Sequence, residues 1–339
     1  MKYRRWILFL FMIIVLAVVF IVFQMENRKE KSDVQPQNEE TAEVKKMDVF
    51  NENSTIESVI EDVSFQDFGH LLFPVDLDVD QSMTLKEVSS SSTYLWYSHI
   101  QPNKTVEIIN YLKQQAMNGQ QIFYPIYTEA EMKNDSEKAN TGLFFFRGEP
   151  GAEYAITNAG GGFYYVGAMH DSFPHALEIS KTGYNAFALI YRPDDAYEDL
   201  ARAITYVNDH ADELSVNPDH YSLWGGSAGA RMAATLGNVD YLYQLTERED
   251  IPQASAVIMQ YTGYQNASQK DAPTYVCVGT SDGIANWRTM RRRLDTLNRF
   301  GIPTEFHSYE GLGHGFGLGT GTVAEGWIQD AISFWEKQM

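Results

Sequence analysis

Cysteine is almost absent from this chain. The single Cys277 lies in the apolar run TYVCVG, so no internal disulfide can form, and a lone cysteine in such a run is expected to be core packing. Positive charge is scarce too: 26 Lys and Arg against 45 Asp and Glu give a formal net charge of −19. A nucleic-acid binder needs a basic face to displace counterions, so nucleic acid is not an expected partner. There is no H-E-x-x-H, no cysteine pair and no tight His/Asp cluster, which removes the usual metal sites. The glycines do not follow G-x-G-x-x-G spacing and no G-K-[ST] accompanies them, which removes a phosphate cradle. No cofactor is expected.

What the sequence does have begins at the N-terminus. After MKYRR, the run from Trp6 to Phe23 holds eighteen apolar residues without a charge. A spanning helix needs about 20 such residues, whereas a cleavable signal peptide has a shorter apolar region and a small-residue cleavage site. QMENRKEK follows instead, favouring an uncleaved signal anchor over residues 6–23. Basic residues are nearly balanced across the run, with Lys2, Arg4 and Arg5 before it and Arg28, Lys29 and Lys31 after it. The short basic tail is read as the cytoplasmic end, which makes the chain a single-pass protein of the cell membrane with its domain outside. Residues 24–64 are mostly Glu, Lys, Asn, Gln, Ser and Asp and read as a polar tether. Aromatic and β-branched residues become frequent from Phe65, giving one globular domain over 65–339. Within it, 65–142 carries no motif and reads as a cap or an N-terminal sheet segment.

Inside that domain, apolar runs of strand length alternate with helix-period stretches. The runs are GLFFFR (142–147), EYAITN (153–158), AFALIY (186–191), YSLWG (221–225), ASAVIMQ (254–260), TYVCVG (274–279) and TEFHSY (304–309). Helices are expected over 197–214, 228–237, 286–300 and 322–337. Unalternated apolar strands bounded by Gly and Pro suit a sheet buried on both faces, and alternation with helices implies parallel crossovers. The fold class is α/β, a mostly parallel central sheet with helices on both faces.

Gly225-Gly226-Ser227-Ala228-Gly229 forms a G-x-S-x-G directly after one strand and before an alanine-rich helix. Such a turn exposes a serine nucleophile, with small residues two before and two after it to avoid backbone clashes. A serine hydroxyl is a weak nucleophile and needs a base, which in turn needs an orienting acid. Asp282 lies 55 residues on, just past the strand TYVCVG; Asp240 and Asp271 are its rivals. Asp271 precedes its strand and so would sit at the wrong end of a parallel sheet. His314, 32 residues after Asp282 in YEGLGHGFGLG, is the expected base, ahead of His307, which lies within a strand pattern. The tetrahedral intermediate also needs hydrogen-bond donors. The N–H of Ala228, with those of Gly160 or Gly161 in the run YAITNAGGGFYYVG, meets that need.

These ordered motifs resemble the α/β-hydrolase superfamily, and more closely its hormone-sensitive-lipase-like esterase and lipase branch, from about Leu143 to the C-terminus. The resemblance implies serine hydrolase chemistry on an ester. Its loop is typically His-Gly-Gly-Gly, whereas Ala159, preceded by Asn158, takes the histidine's place here. The loop must therefore be held differently, with Asn158 as one candidate. The stretch 238–253 is short and leaves no room for a large lid, which favours a small-molecule or carbohydrate ester with a short acyl group such as acetyl. Two other readings share parts of the pattern: a serine peptidase of the prolyl-oligopeptidase type, and a surface binding module on a hydrolase fold that has lost its chemistry.

Overall fold

A computed structural model describes residues 49–91 and 94–339. The anchor expected over 6–23 and the tether over 24–48 lie outside the described residues. Among the described residues, no helix is long and apolar enough to cross a membrane.

Eight strands form one sheet: β1 Phe123–Pro125, β2 Gly142–Phe146, β3 Glu153–Asn158, β4 Asn185–Ile190, β5 Asn217–Gly226, β6 Ala256–Gln260, β7 Thr274–Gly279 and β8 Thr304–Tyr309. Their spatial order is β1-β2-β4-β3-β5-β6-β7-β8. The two pairings at the β1 end are antiparallel and every other pairing is parallel. Strands β2, β4, β6 and β7 are buried along their whole length, as their unalternated apolar sequences require. Strand β8 departs from that expectation, because it closes the sheet and is only partly covered. Cys277 is fully buried in β7, and burial pushes its thiol well above the ordinary range.

The helices bury one stripe each. In Trp287–Arg299 the buried residues Met290, Arg293, Leu294 and Leu297 recur at helical spacing, and Asn286 caps the first turn by accepting the N–H of Arg288. Pro102–Met117 repeats the pattern with Thr105, Ile108, Ile109 and Leu112, and packs on the helix Phe173–Lys181. The expected helix over 197–214 is two pieces, Ala196–Asp209 and Ala211–Leu214, broken at His210.

The boundary expected at residue 65 moves. The fold begins at Phe50, so residues 50–64 are not tether. Phe50, Ile56 and Val59 are buried, the short helix Ile56–Ile60 is capped by Thr55, and Lys113 reaches Asp62 at 2.7 Å. Glu52, Glu57 and Glu61 give this stretch its polar composition, with Glu57 and Glu61 exposed and Glu52 half-buried. The segment without a motif contributes β1 at the sheet edge and the helix Pro102–Met117.

The parallel strands all end on one side of the sheet. Loops leaving β3, β5, β6, β7 and β8 there carry Gly160, Ser227, Tyr261, Asp282 and His314. The ends of parallel strands are where open α/β sheets gather their functional groups.

Candidate active site

Strand β5 ends at Gly226 and the helix Ala228–Leu236 begins one residue later, which leaves Ser227 alone to make the reversal. Its backbone is at φ 51° and ψ −113°, a sparsely populated conformation for a residue with a side chain. The surrounding glycines make this turn fit. A Cβ on Gly225 would lie 2.2 Å from the carbonyl carbon of Gly229, and one on Gly229 would lie 2.1 Å from the carbonyl oxygen of Asn158. Ser227 donates its N–H to the Gln260 carbonyl at 2.9 Å, which ties the turn to the end of β6. Ala228 opens the helix, so its N–H has no acceptor within the helix.

The three residues expected to act together do meet. His314 Nε2 lies 3.1 Å from Ser227 Oγ, and His314 Nδ1 lies 2.7 Å from Asp282 Oδ2. The Asp282 side chain is fully buried and His314 nearly so. Asp282 Oδ1 accepts the N–H groups of Ile284 at 2.8 Å and Ala285 at 2.7 Å, so the turn after β7 fixes the carboxylate. With Oδ2 facing Nδ1, that nitrogen carries the proton in the neutral ring and Nε2 is free to accept one. The histidine loop is pinned from outside its own sequence. Ser98 donates its N–H to the Gly315 carbonyl and its hydroxyl to the His314 carbonyl, both at 2.8 Å, and Gln260 Nε2 donates to the Gly317 carbonyl at 2.6 Å. Gly315 sits at φ +69°, where a Cβ would be 2.0 Å from the Trp96 carbonyl oxygen.

The glycine loop after β3 lies against the serine: a Cβ on Gly160 would be 2.8 Å from that of Ser227. Here one expectation is corrected. The Gly160 N–H donates to Asp171 Oδ2 at 2.6 Å, so this amide is committed to holding the loop rather than turned toward an oxyanion. The next amide, that of Gly161, and that of Ala228 remain as the candidate donors. Gly161 has φ +130°, and a Cβ there would meet the Tyr165 carbonyl oxygen at 1.9 Å.

The missing histidine is made good by several residues. Asn158 Nδ2 donates to the Trp224 carbonyl at 2.9 Å, Tyr191 donates its hydroxyl to the Ala159 carbonyl at 2.7 Å, and Asp171 holds Gly160. Asn158 was legible as a substitute; Asp171 and Tyr191 were not, because neither belongs to a motif. The one sequence signal for Asp171 is that it is the only acidic residue between Glu153 and Glu178.

The rival residues are used elsewhere. Asp271 accepts from Asn238 at 2.9 Å and faces the buried Arg293 at 3.5 Å, whose pKa burial pulls down. Asp240 lies in the first turn of the helix Val239–Thr246. His307 contacts Glu305 at 2.7 Å and stacks on Tyr275.

Known proteins place this geometry in context. The family model described as BD-FAE matches residues 153–266, from the start of β3 to just beyond β6. No curated protein sequence matches the chain. Among solved structures, an acetyl ester-xyloside bifunctional hydrolase from Caldicellulosiruptor lactoaceticus is similar at 19% identity, with a TM-score of 0.53 over 63% of this chain and 95% of that one. The esterase Est2 from Thermogutta terrifontis with propionate bound gives 21% identity and a TM-score of 0.52 over 63% of this chain and 93% of that one. An α/β hydrolase from a Medee basin deep-sea metagenome library gives 22% identity and a TM-score of 0.50 over 58% of this chain and 92% of that one. With its mixed eight-stranded sheet, its serine on the turn after β5 and these likenesses, the chain has the α/β-hydrolase fold.

Proposed function

We propose that this chain is a serine esterase acting on short-chain carboxylic esters, with acetyl groups on carbohydrates as the favoured substrate class. The observation that carries the reading is the Ser227, His314 and Asp282 relay, at 3.1 Å and 2.7 Å, on a strained turn. Ser227 Oγ attacks the ester carbonyl carbon and passes its proton to His314 Nε2. The carbonyl π pair moves onto oxygen, where the N–H groups of Ala228 and Gly161 receive the charge. Collapse expels the alcohol, which leaves with the proton from His314 Nε2, and an acyl-serine remains. Water then attacks with His314 again taking the proton, and the carboxylic acid departs with Ser227 restored. Asp282 keeps Nδ1 protonated and stabilises the imidazolium formed at each attack.

Support for a short acyl group comes from the connection after the serine helix. The helix Val239–Thr246 follows after only Gly237 and Asn238, and β6 begins at Ala256, so no lid is inserted. Among the similar structures, one protein is an acetyl ester-xyloside hydrolase and another holds propionate, both in keeping with this reading. We further propose that residues 6–23 anchor the chain in the cell membrane with the catalytic domain outside.

The test is hydrolysis of p-nitrophenyl esters of two to twelve carbons, acetylated xylose and a peptide amide panel, by the full chain and by Ser227→Ala. The expected result is fastest turnover at two to four carbons and a fall of about 10⁴-fold or more in kcat on Ser227→Ala. Hydrolysis of the amides alone would favour a peptidase, and an inert parent chain would favour a binding module.

A further inference from the structure

A buried carboxylate that the relay does not use lies directly beneath the serine turn. Asp171 is completely buried, at the end of the short helix Ala168–Asp171. Its partners are a backbone amide and two phenols rather than a cation. Gly160 donates its N–H to Oδ2 at 2.6 Å, Tyr261 its hydroxyl to Oδ1 at 2.5 Å, and Tyr97 its hydroxyl to Oδ2 at 3.3 Å. Burying a carboxylate without a cation is costly, and several donors aimed at its oxygens offset that cost. Burial and the charge of Asp171 hold the Tyr261 phenol well above its ordinary pKa, so its proton stays on oxygen and the direction of the bond is fixed.

Two of the groups Asp171 holds touch the relay. Gly160 lies against Ser227, as its 2.8 Å Cβ approach shows. Tyr261 follows Gln260, whose carbonyl receives the Ser227 N–H, and its ring packs against His314 with centroids 4.9 Å apart. Gly226 completes the arrangement. G-x-S-x-G leaves that position free, yet a Cβ there would lie 2.3 Å from both Asp171 oxygens. The carboxylate occupies the space that a side chain at residue 226 would need.

We infer that Asp171 and Tyr261 are positioning residues, one carboxylate fixing both the glycine loop beside Ser227 and, through the Tyr261 ring, the imidazole of His314. This rests on the esterase reading above. Neither residue touches substrate. Their effect falls on the transition state, where the Gly161 N–H and the His314 proton must both be in place, and not on ground-state binding.

The experiment compares the full chain with Asp171→Asn and Tyr261→Phe. It measures kcat, KM, thermal stability and the inhibition constant of an alkyl trifluoromethyl ketone, which adds to the serine and leaves an oxyanion in the hole. Asp171→Asn turns one acceptor into a donor that faces N–H and O–H groups. Because a donor is displaced rather than removed, we expect kcat to fall about 10- to 100-fold, with KM within about twofold and ketone binding weakened in step with kcat/KM. Tyr261→Phe keeps the ring and loses only the hydroxyl; a fall of about 5- to 10-fold in the same pattern is expected. If Asp171→Asn does not fold, Tyr261→Phe decides. Folded variants with parental kcat and ketone affinity would overturn the inference while the parent's activity keeps the esterase reading intact. A parent chain that neither hydrolyses esters nor binds the ketone would instead remove the esterase reading, and this inference with it.

Discussion

Two glycine-containing turns flank Ser227, and they are stabilised in opposite ways. The turn from β5 into the helix Ala228–Leu236 is shaped by close backbone approach: Gly225 packs on Gly229, Gly229 packs on the Asn158 carbonyl, and the strain sits on Ser227 itself. The loop of Gly160, Gly161 and Gly162 depends on distant residues: Asp171, Tyr191 and, through Asn158, the Trp224 carbonyl. The first turn is determined by sterics that a pattern of small residues reveals. The second is determined by hydrogen bonds that no spacing reveals.

The strongest way to break this comparison is to add one methyl where the two turns meet. Gly160→Ala would put a Cβ 2.8 Å from Ser227 Cβ and 3.0 Å from the Gly226 carbonyl oxygen. A near-contact misplacement of this kind is worth about 100-fold in rate, so kcat/KM on acetyl esters should fall by about that factor with only a small loss in thermal melting temperature. Equal and severe losses of folding and activity would show that the loop is architectural instead.

A smaller effect separates remote support from local support. Tyr191→Phe removes the hydroxyl that donates to the Ala159 carbonyl at 2.7 Å and leaves a buried acceptor unpaired. Chemical denaturation should show a loss of about 1–3 kcal/mol, and the rate should drop while Ser227 still reacts with a fluorophosphonate. If the rate is unchanged, the loop does not need Tyr191.

The smallest effect at neutral pH, and one that grows in acid, comes from His170 beside Asp171. Burial lowers the His170 pKa from 6.5 to about 3. An unfolded chain takes up that proton near pH 6.5 and the folded chain does not until near pH 3, so stability falls as pH drops through this window. The slope this residue adds is up to about 1.4 kcal/mol per pH unit. Melting temperatures from pH 7 to pH 4 should therefore fall less steeply in His170→Gln than in the parent; parallel slopes would refute the assignment.

The same contrast explains which parts could be read from the sequence. Strands β3, β7 and β8 lie where the apolar runs placed them, because runs bounded by Gly, Pro and polar residues have unambiguous ends. Ser227, Asp282 and His314 were legible from order and context: each follows a strand end on one side of the sheet. The short helix Ile56–Ile60 was hidden because three glutamates outweigh Phe50, Ile56 and Val59 in composition. Spacing alone does not separate Gly160 from Gly161 as the anion donor, because the acceptor that engages the Gly160 N–H, Asp171, is eleven residues away and in no motif. Trp96, Tyr97 and Ser98, which brace both loops, lie in the part of the chain with no recognisable pattern at all.

The central claim is that Ser227 is a nucleophile activated by His314 and Asp282. Its most direct test is mass-spectrometric mapping of the full chain after treatment with a fluorophosphonate, beside His314→Ala. The account predicts one adduct per chain, on the peptide containing Ser227, and its loss or severe slowing in His314→Ala. An unlabelled parent chain, an adduct on another residue, or equal labelling of the His314 variant would contradict it.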